Sequence, residues 1–154
     1  MSKLAIFAAL TALVLGPSQD PKDGKPQDQK VQYALVVNAN CKATETGDAA
    51  KALIKKLFLK ELTQWPGGVE AKPYAREAAA AEQVALLKDV LGMSDAELAR
   101  HWLKMKNQNG TTPPKDVDSE RMLLKYIAKS DGAFGVVKLD AAKGAEGVKI
   151  LFEF

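Results

Sequence analysis

Two places along the chain carry polar side chains able to meet a ligand. Arg76 and Glu77 open a run of alanines, Arg76-Glu77-Ala78-Ala79-Ala80-Ala81. An arginine can grip an oxyanion with two parallel N–H bonds, and the free backbone N–H groups of a helix start favour negative charge. The competing reading is a surface arginine near a helix start, where the helix dipole does not favour a cation without an anion beside it. Asn38, Asn40 and Thr44 form the second group. They fall in a loop that follows an apolar strand, which is where α/β domains place ligands. The same residue types serve as turn and cap formers, and that is the preferred reading.

Other chemistry finds no support in the residue pattern. His101 is the single histidine and Cys41 the single cysteine. Zinc needs three or four convergent ligands, and no such spacing occurs. Cys41 has no partner for an internal disulfide. It reads as a small buried apolar group, with a reactive thiol or an intermolecular bridge as the alternative. The sequence holds no GxSxG elbow, no P-loop and no GxGxxG after a strand. Lys143-Gly144-Ala145-Glu146-Gly147 reads as a hairpin-like turn, not a phosphate loop. Glu61, Glu70 and Glu77 make no carboxylate pair by spacing alone. The sequence therefore predicts a protein that is not an enzyme, with no cofactor and no metal site. Net charge is +3, from 22 basic and 19 acidic residues. The lysines are scattered among acids, whereas nucleic-acid binders gather them in a stripe, so nucleic acid is not expected as a partner.

The elements that must position these residues follow from periodicity. Lys3 followed by the apolar run Leu4 to Leu15, then Gly16 and Ser18, predicts a signal peptide over residues 1–18. That run is too short for a membrane span, and no second long apolar stretch exists, so no integral membrane segment is expected in the mature chain. Residues 19–30 are polar, with two prolines, and predict a disordered linker. One domain is expected over 31–154. Tyr33 to Val37 predicts a strand covered on both faces. A helix capped by Asp48 should bury Ala50, Leu53, Ile54, Leu57 and Phe58. Trp65-Pro66-Gly67-Gly68 is a turn, and Val69 to Tyr74 a half-buried strand whose end Pro73 places at an edge or exit. A helix from about Arg76 to Leu91 should bury Ala80, Val84, Leu87 and Leu91, with Gly92 ending it. Ser94 and Glu97 form a capping box ahead of a helix burying Leu98, Trp102 and Met105. Residues Asn107 to Lys115 read as a loop. Asp118 should cap the next helix, with a Val117–Met122 staple. Ala133 to Val137 and Val148 to Phe152 read as strands. Strands separated by helices predict an α/β domain.

Several of these segments resemble a known family. Leu57 to Gly68, including Phe58, Trp65-Pro66 and Gly67-Gly68, looks like the "iFlGk…rWpdG" stretch of phosphate-binding periplasmic proteins. Val36-Val37-Asn38-Ala39-Asn40 resembles a strand and Asn-containing loop of their short homologues. Val90-Leu91-Gly92-Met93-Ser94 followed by Trp102 resembles "vLGms…W", and Asp131 to Val137 resembles "pGaIGYv". These pieces keep the family's order from about Val31 to Lys138.

The resemblance implies one lobe of a type II periplasmic-binding-protein-like fold, a small sheet flanked by about four helices. Full family members close two lobes on an oxyanion and deliver it to an ABC transporter, and they are about twice as long. What it implies for this chain is a periplasmic or secreted solute-binding-like protein. Its candidate partners are phosphate or another small oxyanion and a membrane transporter or a second protein copy. Arg76 falls on the arginine of the family's "RSDGSGT"-like anion segment, and Glu77 near an acidic position. The hydroxyls and glycines of that segment are alanines here. The alternative is a single lobe that has lost its ligand and serves as a protein–protein interaction module.

Overall fold

The computed structural model describes residues 30–154. The expected signal peptide and all but the last residue of the expected linker lie outside the described residues. Five strands form one sheet in the order β3-β2-β4-β1-β5. They are β1 (Tyr33–Asn38), β2 (Lys72–Arg76), β3 (Lys115–Val117), β4 (Ala133–Lys138) and β5 (Val148–Glu153). β2 runs parallel to β3 and β4, while β1 runs antiparallel to β4 and β5. Four strands thus share one direction and β1 alone opposes them.

Alternation along β4 builds both faces of the sheet. Phe134 and Val136 join Leu35, Val37, Ile54, Leu57, Phe58, Trp65, Leu91 and Trp102 in one core. Ala133 and Val137 join Ala34, Val36, Leu123 and Ile127 in the other. Period-2 side-chain direction explains the split. The first core is covered by α1 (Gly47–Phe58), by α2 (Ala81–Ala85, continuing as a π-helix over Leu86–Leu91) and by α3 (Asp95–Asn109). The second is covered by α4 (Glu120–Lys129) and α5 (Leu139–Lys143). A Cβ at Gly135 would stand 3.1 Å from the Leu123 side chain, so the glycine lets α4 lie close on β4.

Several local expectations are corrected. β2 is an interior strand, flanked by β3 and β4. Pro73 is tolerated because β2 changes partner there: Lys72 and Pro73 face β4, and Tyr74 to Arg76 face β3. The strand starts later than Val69, with only a Gln64–Glu70 bridge before it, and it carries Arg76 as its last residue. The helix expected from Arg76 therefore begins at Ala81, since residues 77–80 form a turn closed by Ala80 N–H to the Glu77 carbonyl at 2.9 Å. The later start and the π-helical widening rotate the buried face. Val84 is 52% exposed, whereas Glu82, Gln83 and Leu86 are buried. Gly92 ends this helix with φ 61°, as its position predicts.

Caps shift by one or two residues. Thr46 and Ser119 hold the N-cap positions expected of Asp48 and Asp118. Asp48 still lies in the first turn, where a negative charge suits the helix dipole. With Ser119 as cap, Val117 and Met122 no longer occupy staple positions. Residues Lys143 to Gly147 are no hairpin turn, because β5 pairs with β1 and α5 lies between β4 and β5. β3 and α5, three and five residues long, are too short to leave a periodic signal.

Candidate functional site

Strand register separates the two groups of candidate residues. Val37 and Pro73 both stand opposite Phe134. Asn38 therefore sits at the end of the sheet where β2 and β4 begin. Arg76 lies three residues beyond Pro73, about 10 Å along the strand at ~3.3 Å per residue. Asn38 and Asn40 thus occupy one end of the sheet, and Arg76 and Glu77 the other.

The asparagine end is held by capping bonds. Asn38 is only 2% exposed. Its Nδ2 donates to the carbonyls of Ile127 (2.8 Å) and Ala128 (3.1 Å), and its Oδ1 accepts from the Asn40 N–H at 2.8 Å. One buried amide thereby closes the last turn of α4 and the loop after β1. Asn40 Nδ2 donates to Asp131 Oδ1 at 3.2 Å. Thr44 is exposed, and its backbone N–H donates to the Glu45 carboxylate at 3.0 Å. Cys41 is half-buried against the first core. It borders an open cleft of about 300 Å3 with Trp65, Pro66 and Asp131. The indole of Trp65 is spent within the fold, donating to the Gly132 carbonyl at 2.9 Å. His101 Nε2 lies 3.0 Å from the Leu59 carbonyl, so that nitrogen carries the proton, and the ring packs edge-on to Trp102.

The Arg76 end gathers the carboxyl ends of the four like-directed strands. Arg76, Val117, Lys138 and Glu153 are their last residues. Ligands of open α/β sheets lie outside such ends. Arg76 is half-buried there. Its Nη1 donates to the Val117 carbonyl, and its backbone N–H donates to Gln83 Oε1 at 3.2 Å. Its Nε is buried without a partner, alone in this among the side-chain nitrogens and oxygens of the described residues. Glu77 beside it is exposed. A small cleft of about 170 Å3 adjoins, lined in part by Arg76, Gln83, Trp102 and Asp116.

Four further charged or polar residues meet at this end without having been singled out by the sequence. Gln83 fixes the Arg76 backbone. Glu82, 5% exposed, points its carboxylate toward Lys138 Nζ at 4.0 Å. Glu120 in the first turn of α4 accepts the Lys138 backbone N–H at 2.7 Å. The signal for the first two was present: adjacent polar residues, Glu82 and Gln83, interrupt a run of alanines and leucines. It was masked by the helix register drawn from Arg76. Among the described residues no group of three His, Cys, Asp or Glu side chains converges as a metal site would require. No helix among them is long and apolar enough to cross a membrane.

No protein-family model matches the sequence, and no curated protein does. The fold does have solved counterparts. It is similar to a putative phosphate ABC transporter substrate-binding protein with bound phosphate from Clostridium perfringens, at TM-score 0.59 and 14% identity, covering 79% of this chain and 45% of that one. An ABC-type phosphate transport receptor from Vibrio cholerae gives TM-score 0.58 and 16% identity over 79% and 46%. PstS from Borrelia burgdorferi gives 0.57 and 15% over 79% and 47%. The chain adopts the α/β fold of part of these proteins and spans a little under half their length.

Proposed function

We propose that the chain is a non-catalytic, solute-binding-type lobe that meets a small oxyanion of the phosphate class at the carboxyl ends of its parallel strands, with Arg76 as the main cation. The observation that carries this reading is the place of Arg76. It ends β2 at the end of the sheet where α/β folds receive ligands, and its guanidinium is steadied by the Val117 carbonyl. A guanidinium has five N–H donors, so one such bond orients the fork and leaves donors for an anion. Glu77 is the candidate acceptor for a protonated anion oxygen. The fold likeness to two proteins described as phosphate-transport components supports the ligand class. The leader-like start of the chain supports export to the periplasm, with an ABC transporter as the recipient of the solute.

One guanidinium on an open surface holds an anion loosely, so a second surface, from a transporter or another protein copy, would complete the grip. The test is an NMR titration with phosphate and sulfate, which reads weak binding as well as tight. Saturating shifts around Arg76 and Gln83 that vanish in Arg76→Ala are expected. An absence of shifts at that end for every anion tried would overturn the reading and leave the interaction-module alternative.

A further inference from the structure

The first turn of α2 bridges two strand ends. Gln83 holds the backbone of Arg76 at the end of β2, and Glu82 faces Lys138 at the end of the neighbouring strand β4. Ala81–Ala85 runs directly into Leu86–Leu91 as one continuous helical segment. Its first turn packs against this end of the sheet through Gln83 and Glu82. Beside Lys138 the chain places its own carboxylate. Glu82 is almost wholly buried, and its pair with Lys138 is the single ion pair among the described residues. A buried carboxylate is costly unless matched by opposite charge, so Lys138 is already engaged by an internal anion.

We propose that Glu82 is a built-in competitor for the oxyanion, an acidic side chain occupying the positive ground that a bound anion would use. The proposal rests on the reading of the Arg76 end given above. An incoming oxyanion must displace the Glu82 carboxylate or bind beside it against like-charge repulsion. The lobe in its folded state is therefore self-satisfied and binds free phosphate weakly.

Inorganic phosphate is titrated into wild type, Glu82→Gln and Glu82→Ala, with NMR shifts and thermal unfolding as readouts. Glu82→Gln keeps the volume, so it reports even where Glu82→Ala does not fold. At least about a tenfold tighter phosphate affinity is expected in Glu82→Gln, a change of 1.4 kcal/mol. Both variants should unfold earlier than wild type without anion and recover on adding phosphate, which a purely structural role for Glu82 would not produce. Equal phosphate affinity in wild type and Glu82→Gln overturns the inference and leaves the binding reading standing. No binding of phosphate by any of the three, repeated with sulfate, overturns the binding reading and this inference with it.

Discussion

The side-chain amide of Asn38 donates to the carbonyl of Ile127 across 89 residues of chain, at 2.8 Å and out of solvent. It joins the end of β1 to the last turn of α4, whose final carbonyls have no helical partners. Three hydrogen bonds depend on this one side chain. Asn38→Ala leaves the Ile127 carbonyl with only the Ser130 N–H at 3.4 Å and takes the partner from the half-buried Ala128 carbonyl and from the Asn40 N–H, a loss of about 1–3 kcal/mol. Denaturant unfolding should show a lower midpoint with an unchanged slope. Asn38→Asp should be worse, because it buries a charge and sets a carboxylate oxygen against two carbonyl oxygens.

Arg76 predicts a different kind of loss. Arg76→Lys keeps the charge but not the planar fork. Anion affinity should fall about tenfold or more in Arg76→Lys and further in Arg76→Ala, since hydrogen bonds to charged groups contribute about 1.5–3 kcal/mol. NMR titration with phosphate gives both values. Arg76→Lys matching wild type would show that charge alone acts at this position.

Gly132 tests how α4 returns to the sheet. Its φ is 75°, and a Cβ there would sit 1.9 Å from the Glu70 carbonyl oxygen. Its own carbonyl accepts from both the Trp65 indole (2.9 Å) and the Lys72 backbone N–H (2.9 Å). Any shift to relieve the clash would strain those bonds. Gly132→Ala should cost at least about 2 kcal/mol, combining a disfavoured φ with a backbone collision. Gly110→Ala is the control: φ is 72° with nothing within 4 Å, so only the conformational term of about 1 kcal/mol remains. Equal losses in the two variants would remove the Glu70 contact from the explanation.

What the sequence made legible was whatever repeats or punctuates. The both-faces-apolar run Tyr33–Val37 became β1, and Gly92 and Gly135 marked a helix stop and a close approach. Conversely, the alanine run after Arg76 has strong helix propensity, and propensity cannot show that β2 needs Arg76 as its last pairing residue opposite Val117. That shift of five residues hid the inward turn of Glu82 and Gln83. The candidate site suffered for a related reason. Asn38 and Arg76 each end a strand, but β1 runs against β2, β3 and β4. Strand direction is set by nonlocal pairing, so it alone decides that their loops open at opposite ends of the sheet.

The last prediction concerns pH and the start of α3. Ser94 and Glu97 form a reciprocal cap. The Ser94 backbone N–H donates to Glu97 Oε2 at 2.7 Å, the Ser94 hydroxyl donates to it at 2.9 Å, and the Glu97 N–H donates back to Ser94 Oγ at 3.2 Å. The backbone bond from Ser94, then its hydroxyl, hold the Glu97 carboxyl below the ordinary glutamate value. A carboxylate with a lowered folded-state pKa stabilises the fold above its unfolded pKa, about 4.3. That contribution is lost as pH falls through the lower folded value. Glu97→Gln should thus be less stable than wild type at neutral pH, and the gap should close on acidification below about pH 4. Ser94→Ala removes the other half of the box, at about 1 kcal/mol at neutral pH. In the double variant the two losses should fall short of additive, because each substitution breaks the same bonds. Unfolding midpoints of the four proteins, compared at neutral and acid pH, measure this. A Glu97→Gln gap that stays constant with pH would show that the carboxylate charge plays no part in the cap.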